Sequence, residues 1–386
     1  MAETRRFFAA IAPGLEAVLA EEIQETLGDR LDGPMEVLPG GVAFRGDWTT
    51  LWRAHLRLRC PGRILLRLGE ARVTHLAQLE KWAARGIDWS CLPRAAPGDN
   101  LTLRVEASCR KSKLYHSGAV AERIERAARE ALGAAVHTDP TEPADLLLLA
   151  RIERDHCVLS ADASGAPLHK RGSRQAIGKA PLRETLATAF LRLCGFDGRE
   201  TVLDPLCGSG TFVLEAAERI AGLDAGRDRA FAYQRWPSFD PSAFAALRAA
   251  PPAVEDASAA TVCFGFDRDA GAVAAATANA ARAGLSDGAL FRQSSLSDVS
   301  PPAGSQPGLV MVNPPYGARI GDRSRLPKLH AALGRVLQAR FSGWRVGLVT
   351  AAPELARATG LPFERPSAPI RHGGLKVRLY RTARLP

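Results

Sequence analysis

Residues 182–380 alternate between short apolar strands and amphipathic helices, and this pattern leaves few folds open. Strands are predicted at 201–204, 262–267, 290–293, 309–312, 345–350 and 375–380, and helices at 182–193, 212–220, 270–283 and 328–340. Short buried strands that alternate with helices of about 10–15 residues form a parallel sheet with helices on both faces. We therefore expect an α/β, doubly wound domain over residues 163–386.

The first 162 residues mix strands and helices without this alternation, which is typical of an α+β region. A helical pattern at 15–27, another at 117–132 and a basic loop, Arg110-Lys111-Ser112-Lys113, lie among short strands. A chain of 386 residues has room for two or three domains. Residues 163–181 have the composition of a linker. An insertion at 221–260 includes the aromatic residues Phe231, Tyr233, Trp236 and Phe239, and we favour core packing over a lid for them.

The charge of the chain is unevenly distributed. There are 51 Lys and Arg against 41 Asp and Glu, which gives a formal charge of +10. Residues 1–170 hold equal numbers of acidic and basic side chains, so residues 171–386 carry the whole excess. Such a balance favours a polyanionic partner, either a nucleic acid or an anionic membrane surface. The alternative is a solvated basic surface without a specific partner.

Targeting and metal-binding signals are not found in the sequence. No stretch approaches the ~20 consecutive apolar residues of a membrane span, and the N-terminus lacks the apolar segment of a signal peptide. The seven cysteines are scattered, with no Cys-x-x-Cys pair and no histidine cluster beside them. We therefore expect a cytoplasmic protein with reduced thiols, no metal, and a monomer by default.

The first chemical motif, Asp204-Pro-Leu206-Cys207-Gly208-Ser-Gly210-Thr211, lies between a predicted strand and a predicted helix. Ligands of doubly wound sheets bind at the carboxyl ends of the strands, where the two glycines let the backbone approach a ligand and present N–H groups. Val213 stands where a dinucleotide fingerprint needs its third glycine. The acid ahead of the glycines suits the cationic amine of a methionine-type cofactor. A simple tight turn is the alternative.

Two further motifs follow later strands of the sheet. Asp267 ends a strand, where it is placed to accept both hydroxyls of a ribose, whereas Asp269 suits the N-cap of the next helix. Asn313-Pro314-Pro315-Tyr316 follows the apolar strand at 309–312. The Asn313 side-chain oxygen and the Pro314 carbonyl can accept both hydrogens of an exocyclic amino group, and Tyr316 offers a ring on which a base stacks.

With these motifs the chain resembles S-adenosylmethionine-dependent methyltransferases of the Asn-Pro-Pro-Tyr, amino-methylating class. It is most similar to the bacterial 23S ribosomal RNA guanine-N2 methyltransferases that carry a THUMP domain. The similarity runs nearly end to end and includes Pro13–Glu16, Gly40–Phe44, Leu168–Gly172 and Phe341–Trp344. It implies a ferredoxin-like lead-in over 1–45, a THUMP RNA-binding domain over 46–162, and a Rossmann-like seven-stranded methyltransferase domain over 163–386 with an antiparallel last strand.

The resemblance also implies roles for individual residues. The cofactor S-adenosylmethionine would be held by Pro181, Asp204, Leu206, Cys207, Gly208, Gly210, Thr211, Asp267, Arg268, Ser295 and Asp298. The target base would be held by Asn313, Pro314, Pro315 and Tyr316. RNA phosphates would be contacted by Arg110, Lys111, Lys113, Lys170, Arg171 and Arg174.

Two positions depart from the family pattern. Ser295 stands where the family has an Asp for the adenine amino group, so either cofactor affinity is lower or Asp298 compensates. Arg371–Gly374 replace an Asn-Gly pair before the last strand. Some relatives carry a second methyltransferase domain after the first, and we expect one methylation activity here.

The expected reaction is methylation of guanine N2 in 23S ribosomal RNA. The same reaction on tRNA is the close alternative, because THUMP domains also serve tRNA enzymes. Adenine N6 is a third target, since the asparagine contact fits any exocyclic amine. A non-catalytic RNA-binding protein and a nicotinamide-dependent oxidoreductase are alternatives from other classes, and Val213 argues against the oxidoreductase.

Overall fold

The computed structural model describes residues 3–96, 101–133, 144–174, 182–250, 261–315 and 323–386. In the N-terminal region the strands are β1 (Arg5–Ala10), β2 (Glu36–Leu38), β3 (Gly41–Gly46), β4 (Arg63–Arg72), β5 (Leu103–Arg110), β6 (Leu146–Glu153) and β7 (His156–Asp162). The helices there are α1 (Glu16–Leu27), α2 (Trp48–Arg57), α3 (Leu76–Arg85) and α4 (Ser117–Leu132).

The remaining elements follow residue 182. The strands are β8 (Val202–Asp204), β9 (Cys263–Asp267), β10 (Ala289–Gln293), β11 (Leu309–Val312), β12 (Arg345–Thr350), β13 (Ile370–His372) and β14 (Leu375–Arg381). The helices are α5 (Glu184–Leu193), α6 (Thr211–Ile220), α7 (Pro241–Ala249), α8 (Ala270–Arg282), α9 (Leu326–Arg340) and α10 (Pro353–Ala358).

The second sheet has the order β10-β9-β8-β11-β12-β14-β13. Strands β8 to β12 pair in parallel, and β14 pairs antiparallel with both of its neighbours. The expected α/β doubly wound sheet and its antiparallel last strand are thereby confirmed. The order runs outward in both directions from β8, so the switch point, where ligands bind in such sheets, lies between β8 and β11.

The first sheet is also seven-stranded, with the order β2-β3-β1-β4-β7-β6-β5. Strand β4 pairs with β1 on one side and β7 on the other, so the first 46 residues and the region after them share one continuous sheet. Strand β5 lies at the edge and is joined in parallel to β6.

The described part of the insertion, residues 221–250, packs aromatic side chains against α2 of the N-terminal region. Phe231, Tyr233 and Trp236 are all buried. The Tyr233 ring lies 6.5 Å from Trp52 in a stacked arrangement, and Trp236 meets Trp48 edge-on at 6.2 Å. The expectation that these aromatics pack in the core is confirmed. Their contacts join the two halves of the chain.

A buried ion network also crosses between the halves. Arg59, which follows α2, is 5% exposed and donates to the carboxylates of Glu215 at 3.2 Å and Glu218 at 3.0 Å on α6. Arg171 donates to Glu215 at 3.2 Å and to the Arg59 carbonyl at 2.8 Å. Burial alone would raise the pKa of Glu215, but the charges of Arg171 and Arg59 outweigh it and lower the pKa.

Candidate cofactor and target-base site

The loop between β8 and α6 requires glycine at two positions. Gly210 is the N-cap of α6 with φ +85°, and a Cβ there would come within 2.8 Å of the Phe291 ring. Gly208 has φ +53°, and a Cβ there would point into open space. L-residues with side chains seldom adopt these conformations. The open space beside Gly208 leaves room for a ligand against the backbone, as a cofactor cradle requires.

Asp204 ends β8 as a buried carboxylate, only 3% exposed. It accepts the Leu206 N–H at 2.9 Å, and no Lys, Arg or His among the described residues pairs with it. Burial raises its pKa to about 8, and the charge of Asp267 adds to the effect. A buried acid without a cation costs free energy. The site therefore fits a ligand that brings a cation, such as the ammonium group of S-adenosylmethionine.

Asp267 ends the neighbouring strand β9 and is tied to the loop between β8 and α6, residues 205–210, which we call the cofactor loop. Its carboxylate accepts the N–H groups of Gly208 and Asp269, each at 3.0 Å. The Cys207 N–H donates to the Phe266 carbonyl at 2.8 Å, which joins the two loops again. Asp269 caps α8 by accepting the Gly271 N–H at 2.8 Å. Asp269 is therefore the N-cap of α8, as expected, whereas Asp267 faces the cofactor loop.

The turn that follows β10 forms part of the rim of the site and places Asp298 beside Ser295. The Ser295 hydroxyl donates to the Asp298 carboxylate at 2.7 Å, and both side chains are exposed. The Gln293 side chain donates to the Arg268 carbonyl at 3.1 Å, which fixes Arg268 on the same rim. Asp298 therefore places a carboxylate directly beside Ser295.

The Asn-Pro-Pro segment begins directly after β11, which pairs with β8 at Val310 and Leu203. The Asn313 Oδ1 atom is buried and has no hydrogen-bond partner among the described residues. A buried polar atom without a partner is costly in a folded protein and rare. Its free lone pairs fit an incoming N–H donor. Tyr316 and Pro181, both predicted site residues, lie outside the described residues.

Four of the predicted RNA contacts are exposed, whereas two are buried. Arg110, Lys111, Lys113 and Lys170 are exposed. Arg171 is 4% exposed and paired with Glu215. The Arg174 side chain is 6% exposed and pairs with Glu184 at 2.7 Å. The prediction that Arg171 and Arg174 contact RNA phosphates is therefore wrong, because each guanidinium is enclosed in an ion pair inside the protein.

Arg174 instead belongs to the support of the cofactor loop. It donates to the Ser209 hydroxyl at 3.2 Å, and the fully buried Asn279 of α8 donates to the Ser209 carbonyl at 3.3 Å. The residue between the two loop glycines is thus held from both sides. Sequence reasoning assigned no role to Asn279, although an asparagine inside an alanine-rich helix is a signal, since asparagine is a poorer helix former than alanine.

The sheet order and these loops define a Rossmann-like, S-adenosylmethionine-dependent methyltransferase. The comparisons with known proteins agree, and the chain belongs to the RMKL-like methyltransferase family. The family model for the RMKL-like methyltransferase domain matches residues 171–374. The model for the RlmL ferredoxin-like domain matches residues 6–65.

Relatives and solved structures extend this similarity over the whole chain. A Synechocystis protein provisionally named an RNA methyltransferase, slr0064, is 34% identical over 98% of this chain and 97% of its own length. The ribosomal RNA large subunit methyltransferase K/L of Syntrophotalea carbinolica is also 34% identical, over 97% of this chain and 53% of its own length. The chain therefore spans about half of that relative.

A solved structure supports the cofactor assignment. SMU.472, provisionally assigned as a methyltransferase and solved with S-adenosylhomocysteine, aligns over 100% of both chains with a TM-score of 0.82 and 27% identity. None of the described helices has the length and apolar character that a bilayer crossing requires. Within the same described part, no group of three His, Cys, Asp or Glu side chains is placed to hold a metal ion.

Proposed function

We propose that this chain methylates the exocyclic N2 amino group of a guanine in 23S ribosomal RNA. The observation that carries the proposal is the Asn313 oxygen, which follows β11 and has no hydrogen-bond partner among the described residues, next to the strand that leads into the cofactor loop. An acceptor kept free at this place suits a substrate that arrives with N–H donors. Experiment must establish three parts of this proposal: guanine as the base, N2 as the methylated atom and ribosomal RNA as the substrate class.

On the cofactor side, the ionised Asp204 would pair with the ammonium group and Asp267 would accept from the ribose hydroxyls. Gly208 and Gly210 keep the loop close enough for its N–H groups to face the ligand. When bound, S-adenosylmethionine supplies an electrophilic methyl group that an amine takes up by in-line displacement. Such a transfer depends on proximity and alignment more than on acid–base catalysis.

On the substrate side, Asn313 Oδ1 and the Pro314 carbonyl would each accept one hydrogen of the amino group. Both acceptors draw the hydrogens out of the plane of the base, which localises the nitrogen lone pair toward the methyl group. The proton released after transfer would pass to solvent, because neither of these amide oxygens is basic enough to keep it. An amino group inside a stacked helix is out of reach, so the guanine must be unpaired or flipped out.

Support for RNA comes from the relatives and from charge. The Syntrophotalea relative is named for the large ribosomal subunit RNA, and the Synechocystis relative for RNA. The +10 charge suits a polyanion. In this proposal residues 46–162 form a THUMP domain that binds RNA, and Arg110, Lys111, Lys113 and Lys170 contact phosphates.

Methyl transfer from tritiated S-adenosylmethionine tests the proposal. Large ribosomal RNA and tRNA from cells that lack the protein are assayed separately, and the labelled nucleoside is identified by mass spectrometry. We expect N2-methylguanosine in the ribosomal pool. Label in tRNA would show that tRNA and not ribosomal RNA is the substrate. N6-methyladenosine as the product would refute the assignment of guanine as the target base. No label in either pool, despite measured cofactor binding, would contradict the proposal.

A further inference from the structure

Three non-glycine residues of the described chain have a left-handed backbone, and all three lie in two neighbouring turns. These residues are Lys111 with φ 48°, and Arg154 and Asp155 with φ 52° and 64°. Arg154 and Asp155 form the two-residue turn between β6 and β7, a place where Asn-Gly is the favoured pair. Left-handed backbone at such residues costs free energy and often marks functional sites.

Hydrogen bonds lock the two turns together. The Arg154 N–H donates to the Arg110 carbonyl at 3.1 Å, and the Asp155 N–H donates to the Ser112 hydroxyl at 3.0 Å. In return, the Lys113 N–H donates to the Asp155 carboxylate at 2.7 Å. The turns therefore form one rigid platform, which we define as residues 110–116 together with 154–155.

The platform presents a net positive charge. Lys111, Lys113 and Arg154 are exposed, and no acidic side chain of the described chain lies within ion-pair distance of any of them. The nearby Glu153 is engaged by Arg151 at 2.9 Å. Arg110, with its side chain 70% exposed, stands 3.9 Å from the same carboxylate. A cluster of this kind attracts phosphates.

The same platform carries an exposed aromatic side chain, two residues after Lys113 along the chain. Tyr115 is 79% exposed, the most exposed large apolar side chain in the described part of the chain. Its ring centre lies 5.2 Å from that of His116 at a tilt of 42°. Packing in the core does not account for Tyr115, because most of its surface is open to solvent. Proteins that bind single-stranded nucleic acids combine exposed rings, on which bases stack, with cations that pair with phosphates, and this platform offers both.

We infer that this platform binds an unpaired stretch of RNA, with one base stacked on Tyr115 and phosphates contacted by Lys111, Lys113 and Arg154. The inference rests on the proposed function for its choice of RNA as the partner. It adds Tyr115 and Arg154 to the substrate contacts and separates two modes of recognition. The ring selects unpaired nucleotides, whereas the cations serve paired and unpaired RNA alike.

Fluorescence anisotropy with the full chain tests the inference. The probes are a fluorescein-labelled 12-nucleotide RNA without self-complementarity and the same strand annealed to its complement. We expect Tyr115→Ala to weaken binding of the single strand about 5- to 100-fold, the range of one lost base stack, and to change duplex binding less than about twofold. Tyr115→Phe, which keeps the ring, should bind the single strand as the wild type does.

The charge component has its own variant and control. Lys111→Ala combined with Arg154→Ala should weaken both probes and lower the slope of log affinity against log salt by about 1–2. The control is Arg335→Ala, which removes one exposed cation on α9, and it should leave the slope for the single strand nearly unchanged. All of these side chains are exposed, so unchanged melting temperatures are expected.

Single-strand binding by Tyr115→Ala equal to that of the wild type would overturn the inference. An equal loss with Tyr115→Phe would also overturn it, because the hydroxyl and not the ring would then be responsible. If the wild type binds neither probe, both this inference and RNA as the substrate fail. If the Tyr115 effect is present but no RNA pool is methylated, the platform stands and the proposed reaction fails.

Discussion

Asp204 is a buried carboxylate that no cation neutralises in the described chain, and this imbalance shapes how the site responds to pH. Its pKa of about 8 means that most molecules hold it protonated at neutral pH. A cationic ligand favours the ionised form. Binding must therefore displace a proton from Asp204, and the affinity depends on pH through this one residue.

We predict that the affinity for S-adenosylhomocysteine, which keeps the ammonium group of the cofactor, rises with pH and levels off above about pH 8. The slope below that point should reach at most about tenfold per pH unit, because one proton is released. Isothermal titration calorimetry from pH 6 to 9 measures it. Asp204→Asn should bind more weakly at pH 8.5 and should lack this contribution. An identical pH profile in both proteins would contradict the assignment.

The same residue predicts a trade-off with stability. Because the folded-state pKa of Asp204 lies above its ordinary value of 3.8, protonation stabilises the fold. This contribution is fully present below about pH 4 and is lost as the pH rises through about 8. Cofactor-free Asp204→Asn should therefore melt a few degrees above the wild type at pH 9, since 1 kcal/mol shifts Tm by about 1–2 °C in a chain of this length, and the difference should be clearly smaller at pH 5. Thermal unfolding at both pH values, without cofactor, is the measurement.

At the scale of elements, the cofactor loop is held by groups from outside its own strand and helix. Arg174 reaches Ser209 from the segment before α5, and Asn279 reaches it from α8. Asn279 is also engaged by Arg282, which donates to the Ser173 carbonyl at 2.9 Å. The shape of the loop between Gly208 and Gly210 therefore depends on the packing of α8 and of the segment before α5.

We predict that Arg174→Ala and Asn279→Ala each raise the Kd for S-adenosylhomocysteine by about 5- to 30-fold, since each loses a hydrogen bond worth ~1–2 kcal/mol that orders the loop. At saturating cofactor the methylation rate should fall much less. Ser209→Ala is the matched control, because it removes only the hydroxyl that Arg174 contacts. Adding it to Arg174→Ala should produce little further loss. Fully additive losses would show that Arg174 acts elsewhere.

Most elements of the methyltransferase domain could be predicted from the sequence, because short apolar runs typical of strands alternate with apolar residues at helical spacing. Strands β8 to β12 lie within a few residues of the predicted ranges. Strand β13 was missed, since three residues carry no periodicity, and the turn after it uses Gly373 and Gly374 at φ 55° and 85°. Helix α7 was also missed, although Asp240 caps it and Pro241 opens it, which is a recognised start signal.

At the scale of the whole molecule, the two halves are joined by buried charges and stacked rings. The network contains three cations, Arg59, Arg171 and Arg227, and the carboxylates of Glu22, Glu215 and Glu218. Glu22 accepts the N–H groups of Arg59 and Cys60. The charges balance, and this balance allows them to be buried.

We predict that Arg59→Ala destabilises the protein by about 3–5 kcal/mol, because it leaves Glu215 and Glu218 buried with fewer partners. The free energy of unfolding in urea, measured at pH 7.5, is the readout. Arg6→Ala breaks the surface pairs of Arg6 with Glu36 at 2.9 Å and Glu70 at 3.3 Å, and it should cost less than about 1 kcal/mol. Equal losses from the two variants would show that the network does not hold the halves together.

This network also shows where sequence reasoning ends. The site motifs could be predicted because strand order brings Asp204, Asp267 and Asn313 to one edge of the sheet. The burial of Arg171 could not be predicted. Its partner Glu215 lies 44 residues further along the chain, and only the packing of α6 against the N-terminal region brings the two together. An arginine in a linker looks the same in sequence whether it faces RNA or a buried glutamate.

The central claim is that Asn313 presents a free acceptor to the amino group of a guanine. Single-turnover methylation of large ribosomal RNA by Asn313→Ala, at saturating cofactor, tests it most directly, with the Kd for S-adenosylhomocysteine measured in parallel. We predict a rate at least about 100-fold below the wild type, as for loss of a preorganised polar contact to the reacting group, with the Kd changed less than about twofold. A rate within a few-fold of the wild type would contradict the claim.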